Sequence, residues 1–292
     1  SKKGKIFQEY RLLNSLPDTL QGFFVGASTL EDNDGQASYK MQHVKAFDSA
    51  LLFINGSLSE SAFIHFLDEL NDYLLMTFTY KRPSSEQTFN FIVDKLQDRA
   101  IELRNWGNYN SFNTFIGNHT DYSCFEDVID SLRTLFLECK DKIIEAGEVF
   151  SHGDLCMSNI LYAEDEDIFK LIDPRGGEFS SSYLSPYYDL AKFSHSLLGG
   201  YDFIINDLAQ IDFDKRMRST IVFPSKLSNV YTSNEFIQLV SKLNLCIRTV
   251  RIVEASLFLS MLPLHIESSK TVHMLALRGC EILDEIRRDH YY

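Results

Sequence analysis

No stretch constrains the fold more than the run from Ser151 through His152, Gly153, Asp154 and Asn159 to Tyr162, followed after an acidic gap by Leu171, Ile172, Asp173 and Pro174. Gly153 lets the backbone turn tightly beside Asp154, and the step to Asn159 is long enough for a loop to present both side chains on one face. Asn159 to Tyr162 and Ile168 to Ile172 are short and apolar. The polar run Ala163 to Asp167 between them reads as a hairpin turn, which returns Asp173 to the neighbourhood of Asn159.

Two carboxylates and a carboxamide so spaced suit the holding of magnesium-bound phosphates beside an acceptor hydroxyl. Magnesium takes hard oxygen ligands and keeps several waters, so Asn159 and Asp173 are the candidate metal ligands, with the phosphates of ATP completing the shell. Asp154 is the candidate catalytic residue. In a loose phosphoryl-transfer transition state its task is to orient the acceptor hydroxyl and to take its proton late. A lone Asp or Asn beside apolar residues is usually a turn former, and Asp-Pro commonly starts a turn. Two such loops in order, joined by a hairpin, are harder to explain that way.

His152-Gly153-Asp154-Leu155 with Asn159-Ile160-Leu161 and Ile172-Asp173-Pro174 resembles the catalytic and metal loops of the aminoglycoside phosphotransferase and choline kinase group, which shares the protein-kinase-like fold. Ile172-Asp173-Pro174-Arg175-Gly176 and Gly200-Tyr201-Asp202-Phe203-Ile204 also resemble phosphotransferase-like proteins found among bacterial capsular polysaccharide biosynthesis genes. The likeness runs from about Phe150 to Phe203. It implies an α+β, two-lobe fold with a small, truncated, β-containing amino-terminal lobe (1–44, hinge included) and a large, mostly helical lobe (45–292). It further implies that His152 packs against the metal loop and that Asp189 braces the catalytic loop. A helix amino-terminal charge is the plainer reading of Asp189.

The same resemblance gives roles to the first 44 residues. Lys5 to Leu16 has near-helical apolar spacing ending at Pro17, and Gly22–Gly26 and Ala37–Met41 read as strands across the polar loop Glu31–Gly35. Glu9 then stands where the family places the helix glutamate that pairs with the phosphate-binding lysine, or is simply solvated. Met41, Gln42, His43 and Val44 would form the hinge facing an adenine, with Leu161 and Ile172 as its apolar floor; core packing explains the last two equally. A glycine-rich hairpin and a strand lysine should come first, and the chain begins too late for either, although Lys2, Lys3 or Lys5 could reach a phosphate. With Ser1 in place of Met, the reading is a fragment, a record lacking upstream residues, or a relative with weakened catalysis.

The formal charge of −13 disfavours a nucleic acid partner and makes a metal more necessary for binding an anionic nucleotide. No apolar run reaches the roughly 20 residues of a membrane helix. Scattered cysteines and the lack of a secretion-type start fit a cytoplasmic protein. Cys156, inside the catalytic loop, reads as a small packing residue rather than a reactive thiol, and the histidines outside that loop, from His43 to His290, lack zinc-ligand spacing. Arg175 could meet a phosphate or anionic substrate, or pair with a carboxylate.

Elsewhere apolar stripes mark core helices: one begins at a capping box Ser57–Glu60, a second starts at Ser84, and a third runs from Phe125 to Ile143. Others start at Pro186 and span about Asn234–Leu259 and Ser268–Arg288. The expected activity is an ATP- and magnesium-dependent transfer of a phosphoryl group to a hydroxyl of a sugar, amino alcohol or related metabolite. The alternative is a catalytically weak nucleotide-binding regulator or scaffold of a polysaccharide pathway. A protein kinase fits less well, since Ile172-Asp173-Pro174 replaces Asp-Phe-Gly and no Ala-Pro-Glu follows. Neither the acceptor nor the oligomeric state is written in the sequence.

Overall fold

Apolar periodicity decides most of the local structure. The computed structural model describes residues 2–33, 36–84, 86–175, 182–224 and 230–289. The chain forms two compact units, Ser1–Pro83 with Gly147–Asp189, and Ser84–Ala146 with Leu190–Tyr292.

The first unit opens with α1 (Lys2–Asn14) and α2 (Asp18–Gln21), separated at Pro17, which fixes the turn into α2. β1 (Ala27–Asn33) and β2 (Gln36–Met41) then pair antiparallel, Ala27 opposite Met41. β3 (Phe47–Asp48) leads into α3 (Ser49–Ile54), which Asp48 caps by accepting from the amides of Ala50 and Leu51. α4 (Glu60–Phe78) is capped by Ser59, whose hydroxyl accepts from Ala62 N–H. Its stripe of Phe63, Phe66, Leu67, Leu70 and Leu74 is buried, each side chain stabilising the unit by about 1.5–3 kcal/mol.

α5 (Glu86–Arg104), α6 (Tyr109–His119) and α7 (Phe125–Glu145) belong to the second unit. The chain then returns to the first with β4 (Val149–Phe150), β5 (Ile160–Ala163), β6 (Ile168–Leu171) and β7 (Tyr183–Leu184). β5 lies between β3 and β6 in an antiparallel sheet, and β4 pairs with β7. α8 (Pro186–Leu197) carries the chain across the division between the units at Asp189.

The second unit continues with α9 (Tyr201–Ile205), the hairpin β8 (Gln210–Phe213) and β9 (Ser219–Val222), then α10 (Val230–Lys242), α11 (Ile247–Ser260) and α12 (Ser269–Arg287). α11 is its axis, buried from Thr249 to Ser260 and packed on α12, α5 and α7. Within it Arg251, 1% exposed, donates from Nη1 to both carboxylate oxygens of Glu254 at 2.6 Å and from Nη2 to Glu285. Removing either partner of such a buried pair leaves an uncompensated charge in the interior.

Long helices with small antiparallel sheets make this an α+β chain. Among the described residues no helix is long and apolar enough to cross a membrane. Several local expectations are corrected. Gly22–Gly26 is not a strand: Phe24 makes a single parallel bridge to Leu171, and its buried ring, with Val25, accounts for the apolar signal. Glu31 to Asn33 belong to β1, while Asp34 and Gly35 lie outside the described residues, as do Gly176 and His290. The cap of α4 is Ser59 rather than Ser57. The long helix expected over Asn234–Leu259 is two helices, interrupted where Asn244 takes a left-handed φ of 55°.

Candidate active site

The loop that carries Asp154 is fixed at its base by a buried carboxylate. β4 ends at Phe150, Ser151 N–H donates to Ser182 O at 2.8 Å, and the next residues turn around Asp189 from the first turn of α8. Asp189 accepts from Ser151 Oγ–H (2.8 Å), His152 N–H (2.8 Å) and Gly153 N–H (2.9 Å). Burial pushes its carboxyl up to about 6 despite those donors. Asp189 is thus a brace on the loop backbone.

Gly153 sits at φ 76°, where a Cβ would stand 3.0 Å from Arg175 O and 3.2 Å from Arg175 Cβ. Only glycine takes that turn without displacing the segment behind it. His152 follows with both ring nitrogens engaged: Asp154 N–H donates to Nδ1 at 3.2 Å, and Nε2–H donates to Ile172 O at 2.9 Å. Burial lowers its pKa to about 4, so the ring is neutral at pH 7, and it stacks on Phe24. It joins the two loops rather than moving protons.

Asp154 is half-buried, and Arg175 Nε lies 2.9 Å from its Oδ2. Of the two readings open for Arg175, the structure has the carboxylate pair. Asn159 closes a 3₁₀ turn, Met157–Asn159, and donates from Nδ2 to Asp154 O at 2.8 Å. That bond commits the amide nitrogen and leaves the carbonyl oxygen as the end suited to a cation. Ile172 N–H donates to Asn159 O at 3.0 Å, which sets Asp173 beside Asn159; Asp173 is exposed, with φ 53°. Cys156 is half-buried, its sulfur 3.3 Å from Ser158 Oγ.

Glu9 is buried and makes hydrogen-bond contact with Asp173. Burial, more than the Asp173 charge, raises its pKa, while the Tyr39 hydroxyl, donating to it, and Lys5 act in the other direction. Tyr39 in turn is raised by burial and by Glu9. The sequence reading missed Tyr39 altogether. Its signal was the alternation along β2, which turns Tyr39 inward with its ring 5.8 Å from that of Tyr10.

The structure therefore brings Asp154, Asn159, Asp173 and Glu9 into one linked cluster. It treats the proposed nucleotide edge differently. Met41 and Gln42 are exposed at the end of β2, where Gln42 N–H donates to Gly26 O, and Val44 is half-buried. Leu161, half-buried, lies opposite Asp48 in the ladder, four residues past Val44, and Ile172 is half-buried beyond the end of β6. Among the described residues no backbone bond joins Met41, Gln42 or Val44 to Leu161 or Ile172.

The donor set of Asp173 and Asn159 is all hard oxygen, which suits magnesium and does not suit a soft thiophilic metal. No protein-family model matches the sequence, and no curated protein matches it. Among solved structures the chain is similar to an ethanolamine kinase from Plasmodium vivax, with a TM-score of 0.47 and 14% identity over 99% of this chain and 73% of that one. A likeness of that depth shows neither family nor activity.

Proposed function

We propose that the chain is an ATP- and magnesium-dependent phosphotransferase that moves a phosphoryl group to a hydroxyl of a small molecule such as a sugar or amino alcohol. The observation that carries this is the bonding of the two loops: Asn159 to Asp154, Ile172 to Asn159, and His152 to Ile172. These bonds favour Asp154 at the acceptor and Asp173 with Asn159 at a metal, within one rigid frame. Bound magnesium would neutralise developing phosphate charge. Asp154 orients the acceptor hydroxyl and receives its proton, and Arg175 holds that carboxylate in position. Glu9 lies behind Asp173, and Met41, Gln42, Val44, Leu161 and Ile172 would flank the base of the nucleotide.

On this reading the division 1–44 and 45–292 is that of a kinase-like small lobe with hinge and a helical lobe. The protein would act in the cytoplasm, and the resemblance of Ile172–Gly176 favours a role in capsular polysaccharide synthesis. The test is Asp154→Asn, which should abolish turnover with a hydroxyl acceptor yet keep magnesium-dependent stabilisation by ATP. Unchanged turnover would remove Asp154 from its role. Two observations favour the second reading, a nucleotide-binding regulator: Glu9 accepts its hydrogen bond from Tyr39, and Lys3 pairs with Asp32 at 2.6 Å. ATP binding with no transfer to any hydroxyl metabolite would select it.

A further inference from the structure

A second cluster of ligand-type side chains lies in the first unit, on α4 and at the turn between β5 and β6. His65 and Glu69 are one helical turn apart on α4 and so share a face. Asp167, in the left-handed conformation (φ 52°) that closes the turn after Ala163, stands opposite them. The ligand atoms of all three lie within 4.8 Å of one another. His65 Nε2 is 3.7 Å from Asp167 Oδ1, too far for a hydrogen bond.

A different set of atoms fixes what that nitrogen presents. Tyr162, 1% exposed, donates its only hydroxyl hydrogen to Ala62 O at 3.1 Å. Its oxygen is also 3.1 Å from His65 Nδ1, and with that hydrogen spent it can only accept. Nδ1 is therefore the donating nitrogen, which leaves Nε2 as the ring atom open to a metal, within 4.8 Å of the carboxylate oxygens of Glu69 and Asp167. Three ligand atoms converge, and a cation between them would offset the charge of the two carboxylates. A hydroxyl behind the imidazole is the kind of outer partner that orients metal-ligating histidines.

We propose that His65 Nε2, Glu69 and Asp167 form a binding site for a divalent transition metal, zinc being the natural occupant, with water in the fourth position. One imidazole and two carboxylates suit zinc over magnesium or calcium, which favour oxygen alone. Two carboxylates also balance the charge of the ion. His65 is 44% exposed and Asp167 82% in their side chains, so an ion reaches the site from solvent. The ion would tie α4 to the hairpin whose ends carry Asn159 and Asp173, stiffening the frame without joining the chemistry.

The test is cobalt(II) absorption and zinc calorimetry on the full chain, with His65→Gln, Glu69→Gln, Asp167→Asn and Tyr162→Phe. Asn tolerates the left-handed backbone at 167, and the other two ligand positions lie on a solvent-facing surface, so these variants keep their fold by circular dichroism. The expected result is one zinc per chain, a cobalt spectrum without thiolate charge-transfer bands, loss of both in each ligand variant, and about 10- to 100-fold weaker binding in Tyr162→Phe. Retention in Asp173→Asn and in excess magnesium separates this site from the candidate active site. Absence of binding, thiolate bands, or binding unchanged by His65→Gln would overturn the proposal.

Discussion

Asp189→Ala isolates the brace under the Asp154 loop. It removes the acceptor of three hydrogen bonds, and bonds to a charged group contribute about 1.5–3 kcal/mol each, roughly 6 kcal/mol together. Against that stands the burial of the charge. That burial outweighs the three bonds: with both included the carboxyl rises from its ordinary 3.8 to about 6, a net cost to the ionised form of roughly 3 kcal/mol at about 1.36 kcal/mol per pH unit. Truncation to alanine leaves those three buried donors without an acceptor, at about 1–3 kcal/mol each, so the loss expected at pH 7 is at least about 3 kcal/mol. The sign of the pH dependence follows: a carboxyl whose folded pKa is raised destabilises the fold as pH rises from its unfolded value through about 6. The gap between the native chain and the variant should then widen by roughly 1 kcal/mol from about pH 7 to about pH 5. Urea unfolding followed by far-ultraviolet circular dichroism at both pH values measures it. A loss below about 1 kcal/mol at pH 7, or a gap that narrows as the pH falls, would refute the balance drawn here.

Gly153→Ala places a methyl group 3.0 Å from Arg175 O at a positive φ; it should destabilise the chain by more than about 1 kcal/mol in urea and depress turnover, and a neutral variant would contradict the tight turn. Arg251→Ala strands Glu254, which is 0% exposed, so the expected loss in the same assay is about 3–5 kcal/mol. The His152 ring is neutral far below pH 7; its imidazole carbon and nitrogen NMR shifts should stay constant between about pH 5 and 8, and titration in that window would free it from its bond to Ile172 O.

Legibility in the sequence followed the range of the interactions. The stripes of α4, α5 and α7 and the hairpin of β5 and β6 were readable because their burial repeats at local periods of 3.6 and 2. Asn244 stood within reach too, since Asn is among the few residues that enter the left-handed region and end a helix there. The failures came from non-local partners. Phe24 and Val25 look like a strand because they are buried, yet a single bridge to Leu171, across nearly the whole first half of the chain, is all the pairing they receive. The β8 and β9 hairpin was missed because only Ile221 is buried among its alternating residues. At the site, the approach of Asp173 to Asn159 was legible because the hairpin of β5 and β6 joins them, and that of Asp154 to Asn159 because one short loop holds both. The Tyr39 bond to Glu9 was not, because it joins a helix to a strand through a contact no local pattern encodes.

The central claim is that Asp173 and Asn159 hold magnesium for the phosphates of ATP. Calorimetry of ATP binding with and without magnesium, on the native chain and on Asp173→Asn, tests it most directly, because Asn keeps the left-handed backbone at that position. The account predicts that magnesium strengthens ATP binding in the native chain and that the gain disappears in the variant. Equal affinity with and without the metal, or a metal-dependent gain that survives Asp173→Asn, would contradict it.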